Sequence, residues 1–112
     1  MATAAIDRAV FAELQATAGA DFVHELVDTF LEEAPPMLVE LREALAGARA
    51  EPFRRAAHSI KSNASTFGAT TLAAMARDLE LQGLDAATPA ALAALTQEYD
   101  AAAAELKALR DA

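Results

Sequence analysis

Phe53, Ala57, Ile60, Ala64 and Phe67 step along the chain by four, three, four and three residues, a spacing that an α-helix turns into one continuous apolar stripe. The same rhythm of threes and fours joins Phe22, Val23, Leu26, Val27, Phe30, Leu31, Leu38, Leu41 and Leu45 upstream. Downstream it joins Leu92, Leu95, Tyr99, Ala102, Leu106 and Leu109. Much of the 54% apolar content is Ala, the strongest helix former, and Gly and Pro number only four each, so an all-α domain is the expectation.

The punctuation divides this pattern into helices. Thr3 is the expected cap of a short first helix running to about Thr17, which Gly19 ends. Asp21 restarts the chain, and a long second helix begins at Phe22 and ends near Gly47. Pro35 and Pro36 fall within it and predict a kink or break, because proline lacks an amide donor and crowds the preceding turn. Pro52 suits the first turn of a third helix closed by Gly68. Thr70 or Thr71 is the expected cap of a fourth helix, which buries Leu72, Met75, Ala76 and Leu79 and stops at Gly83. Thr88 followed by Pro89 opens the last helix. Short connections make helices antiparallel neighbours, so the 112 residues (1–112) read as one up-and-down antiparallel four-helix bundle with a short additional N-terminal helix.

Composition excludes several functions. Without Cys there is no disulfide framework, thiolate zinc site or thiol nucleophile, which fits a cytoplasmic protein. No stretch approaches the ~20 apolar residues of a membrane span, and no signal peptide is visible at the N-terminus. A net charge of −8 argues against general nucleic-acid binding. His24 shares its helix side with Asp21, Glu25 and Asp28 and reads as part of a solvated face rather than a metal site; no metal is expected. Glu32, Glu33, Glu40 and Glu43 likewise read as a solvated face.

One region departs from this acidic background. Between Pro52 and Arg77 there is no Asp or Glu, while Arg54, Arg55, Lys61 and Arg77 surround His58 with positive charge. At ~100° per residue, His58 points roughly 120–140° away from the apolar stripe. Arg54, Lys61, Ser62 and Ser65 fall on its side of the helix, at spacings of minus four, three, four and seven. An exposed imidazole among cations and small hydroxyl residues is open to attack and has counter-charges ready for an anion. If helices three and four form a hairpin turning at Gly68 and Ala69, residues whose numbers sum to about 138 lie level, which brings Glu80 beside His58 as a ring-orienting carboxylate. Arg77 and Lys61 are the other partners within its reach, and Arg54, Ser62 and Ser65 are the candidates for partner docking.

The run His58, Ser59, Ile60, Lys61 through Phe67, Gly68 and Ala69, followed by Leu79 and Glu80, resembles the signature of histidine-containing phosphotransfer (HPt) domains. The resemblance covers nearly the whole chain, because the family fold is also a bundle containing a long kinked helix. It implies that His58 is phosphorylated, that Lys61 neutralises the phosphoryl oxygens, and that Glu80 orients the imidazole. It further implies a response-regulator receiver domain or a histidine kinase as partner, with the Mg²⁺ carried by the receiver and no cofactor on this chain. At the fourth position after the histidine, where the family usually has Gly, stands Ser62, and Asn63 follows where a small residue is common. The expected function is a monomeric phosphate carrier in a phosphorelay, not a complete kinase, since no phosphate-cradling glycine loop is present. The rival readings are a receiver-binding adaptor that no longer transfers phosphate and a purely structural helical module.

Overall fold

The computed structural model describes residues 4–112, the side chain of Ala86 excepted. The expected cap Thr3 lies outside the described residues. Five α-helices follow one another: α1 (Arg8–Ala18), α2 (Ala20–Ala46), α3 (Ala50–Thr66), α4 (Thr70–Gln82) and α5 (Pro89–Asp111). A short 3₁₀ turn, Gly83–Ala86, links the last two; no spacing signal had marked it. No strand occurs among the described residues. Helices α2 to α5 form the antiparallel bundle: α3 packs between α2 and α4, α5 closes on both, and α1 rests on α2.

The apolar stripes point as their spacing requires. Phe53, Ala57, Ile60, Ala64 and Phe67 are all buried, and so are Leu92, Leu95, Tyr99, Ala102 and Leu106. Phe30 ties the helices together, its ring 5.4 Å from that of Phe67 and 5.7 Å from that of Tyr99. Phe22 is the exception. It is half exposed, because the core side of α2 is already taken by Val23 and Val27, one and five positions on.

Several helix ends differ from expectation. Asp7 caps α1, its carboxylate accepting from the amides of Ala9 and Val10. Helix α2 starts at Ala20, with Asp21 inside its first turn where the helix dipole favours an anion. Pro35 and Pro36 do not break α2, which runs unbroken for 27 residues. Both prolines are exposed, so the carbonyls they leave without amide donors lie on the watered side, while buried Ala34 and Leu38 hold the helix to the core on either side. At the end of α2 the left-handed residue is Ala48 (φ 53°) rather than Gly47 (φ −90°). Neither Thr70 nor Thr71 caps α4; the cap position is Ala69, and it makes no side-chain bond. Thr88 does cap α5, accepting from the amide of Ala91.

Candidate functional site

The α3–α4 hairpin sets the site. Helix α3 ends in a Schellman turn: the Gly68 amide donates to the Ser65 carbonyl, and the Ala69 amide reaches back to that of Ala64. Gly68 adopts φ 79°, and a side chain there would lie 2.8 Å from the backbone oxygen of Asp7 and 2.9 Å from Val10 Cβ. The Asp7 amide donates to the Gly68 carbonyl at 2.7 Å, so the segment before α1 is clasped to this turn. No sequence spacing pointed to that contact. Fully buried Ile6 completes this end of the core, and the Ala5 amide beside it donates to Glu105 Oε2.

The turn delivers the predicted register. His58 Nδ1 lies 2.7 Å from Glu80 Oε2, and Lys61 Nζ lies 2.8 Å from Glu80 Oε1. The carboxylate therefore serves both of the partners that spacing left open on α3, one oxygen each. Arg77, the third candidate, forms no ion pair among the described residues. The side chain of Glu80 is only 12% exposed, that of Lys61 30% and that of His58 54%. The Lys61 ammonium is the chief influence holding the Glu80 carboxyl below its ordinary value; partial burial opposes it and the bond to His58 assists it. An ionised carboxylate can only accept, so Nδ1 carries the ring proton. Nε2, which makes no hydrogen bond among the described residues, then holds the ring's lone pair, the tautomer that a nucleophilic imidazole needs.

The remaining predicted residues fall on the same outward face with different commitments. Arg54 grips Glu51 through Nη2 at 2.6 Å and Nε at 3.3 Å, so its charge is largely answered within its own helix. Ser62 and Ser65 are exposed, and the Ser62 carbonyl accepts from the Thr66 hydroxyl. On α4, Arg77 and the 69% exposed Leu81 stand beside Glu80. Leu81 breaks the apolar stripe of α4, a signal the helical spacing contains. No cluster of potential metal ligands occurs among the described residues.

One hollow, about 530 Å³, lies between α2 and α5, lined mostly by apolar atoms of Leu45, Pro89, Leu92 and Ala93, with Arg42 and Thr96 at its wall. A second opens between α4 and α5, and a third between α2 and α3; His58 lines none of them.

Comparison with known proteins agrees with this geometry. Residues 25–105 match the Hpt domain family model. The crystal structure of histidine-containing phosphotransfer protein B (HptB) from Pseudomonas aeruginosa PAO1 superposes with a TM-score of 0.87 at 29% identity, covering 98% of this chain and 97% of that one. The sensor protein TorS of Escherichia coli K12 is 35% identical over 71 residues, 63% of this chain but 8% of TorS. No helix among the described residues is long and apolar enough to cross a membrane. A five-helix chain with an exposed, carboxylate-oriented histidine, matched over most of its length by one family model, thus belongs to the Hpt domain family, homologous to the phosphotransfer proteins of phosphorelays.

Proposed function

We propose that this protein carries a phosphoryl group on His58 Nε2, to or from the aspartate of a response-regulator receiver domain. The observation that supports this reading best is the division of Glu80 between the ring and Lys61, on a His58 side chain that is 54% exposed and makes no bond through Nε2 among the described residues. In the forward step the Nε2 lone pair attacks phosphorus in line and the P–O bond to the donor carboxylate breaks, leaving that carboxylate free; the return step reverses this. Bond formation at Nε2 makes the ring cationic, and Glu80, already accepting from Nδ1–H, stabilises that charge. Lys61 is within one side-chain swing of the phosphoryl oxygens and neutralises them. The Mg²⁺ that such a transfer uses belongs to the receiver, and this chain supplies positioning and charge alone.

The test is to mix the protein with a phosphorylated receiver domain and locate the modification by phosphorus NMR and mass spectrometry. An acid-labile phosphoramidate on His58 is expected. Binding without labelling would establish the adaptor reading instead, and neither binding nor labelling would leave a structural module.

A further inference from the structure

We infer that Arg55 and Arg77, rather than Arg54, are the docking cations of this domain, and that the partner surface they fit is an acidic rim around the acceptor aspartate. The inference rests on the phosphotransfer reading and specifies the partner it requires.

Four cations surround His58, but two are already committed. Arg54 is forked onto Glu51, and Lys61 is paired with Glu80. Arg55 and Arg77 are both exposed, and neither has a carboxylate within 4 Å among the described residues. An uncommitted guanidinium is the one that can form a forked bond with a carboxylate arriving on another protein.

Their positions bracket the histidine. Arg55 lines the shallow hollow between α2 and α3 together with Met37 and Ser59, on one side of His58. Glu40 shares that hollow without pairing with it, and Arg55 also contributes to the field at Glu51. On α4, Met75, Asp78 and Gln82 face α5. At ~100° per residue, Arg77 and Leu81 lie roughly 60° and 100° round the helix from Glu80 on the opposite, outward side. The hairpin register sets Arg77 level with Lys61 and Leu81 level with Ala57, next to His58. The face thus has a guanidinium on each flank, with exposed Leu81 beside the nucleophile as an apolar contact.

The rest of the molecule sharpens the polarity. The stretch from Pro52 to Arg77 holds four cations and no acid, in a chain whose net charge is −8. A partner with a negative rim is drawn to this face and repelled by the others, which orients the encounter before contact. A partner site that binds a divalent cation is itself built from carboxylates, and supplies such a rim.

The experiment labels the protein at His58 with phosphoramidate, which needs no partner, and follows transfer to the receiver domain that accepts fastest from the unmodified protein. Rates are referred to the fraction of each variant labelled. The double variant Arg55→Glu/Arg77→Glu is expected to lose about tenfold in the second-order rate constant at low ionic strength. The loss should shrink in roughly 0.5 M salt, where charges are screened within a few ångströms. Arg55→Lys/Arg77→Lys keeps the charge but not the fork and is expected to fall between the wild type and the reversed-charge variant at low salt, which a purely steric role would not predict. Normal transfer by the wild type together with an equal rate from the reversed-charge variant would overturn this inference and leave the phosphotransfer reading intact. No transfer from labelled wild type to any receiver would overturn both.

Discussion

Two ends of this molecule carry a histidine among carboxylates and cations, and only one is organised as a site. At the α2–α5 end, His24 is exposed and makes no side-chain hydrogen bond among the described residues. The charges near it are engaged with each other: Arg110 pairs with Asp28 at 2.6 Å and with Asp111 at 3.0 Å. Arg110 is also the main cause of the depressed Asp111 carboxyl, with His24 a minor contributor. At the α3–α4 face the contacts are of similar length, 2.7 and 2.8 Å, yet the carboxylate is nearly enclosed and splits its oxygens between a ring and an ammonium. Charge density is therefore not what distinguishes them. A sheltered acceptor fixing one ring nitrogen while the other stays in water does, because shelter holds the carboxylate in a single geometry.

The largest contrast should come from the histidines themselves. His58→Ala is expected to abolish labelling by a phosphorylated receiver while leaving the melting temperature nearly unchanged, and His24→Ala should label normally. Equal labelling of both variants would erase the distinction. Next is the turn that sets the register. Gly68→Ala forces a Cβ against the Asp7 oxygen in a left-handed conformation, and should cost roughly 2–4 kcal/mol in urea unfolding. A loss below about 0.5 kcal/mol would mean that the clasp yields freely.

Glu80→Gln sharpens the comparison at the carboxylate. Transfer should slow by about tenfold, less than the ~10²–10⁴ of a full acid–base contribution, because the Gln carbonyl oxygen can still accept from Nδ1–H while the charge is lost. Since the Glu80 carboxyl sits below its ordinary value of 4.5, its contribution to stability is complete above that pH and is lost as pH falls through the lowered value. The stability difference between wild type and Glu80→Gln should therefore narrow progressively as the pH falls below 4.5. A gap of constant size across that range would assign it to packing rather than charge. The smallest effect lies at the far turn. Ala48 holds at φ 53° the same Schellman position that Gly68 fills at φ 79°, so Ala48→Gly should gain roughly 0.5–1 kcal/mol in thermal unfolding.

These turns also mark how far sequence reasoning reached. The stripes of α3 and α5 and the Thr88 cap were legible because burial and capping are local and periodic. The pairing of His58 with Glu80 was legible because one glycine turn fixes the height of everything on the two helices it joins. What spacing could not supply were outcomes decided by competition. Phe22 lost the core to its neighbours, and the α2 prolines proved harmless because they face water. The left-handed residue moved one place past the glycine. Arg54 stands four residues from His58 and three from Glu51, and spacing alone did not say that it would fork onto Glu51. Nothing in the pattern linked Asp7 to Gly68, since that bond spans the chain between segments with no shared periodicity.

The clasp of Asp7 on Gly68 bears on where this domain can be cut. A fragment trimmed to the family-matched residues 25–105 would keep His58, Lys61 and Glu80. It would discard Ile6, Phe11, Val23 and Leu106, all buried, and so would uncap the very hairpin turn that aligns the imidazole with its carboxylate. Recognisable motif and self-sufficient folding unit therefore have different borders in this chain, and excision at the former would yield the reactive residues without the scaffold that aims them.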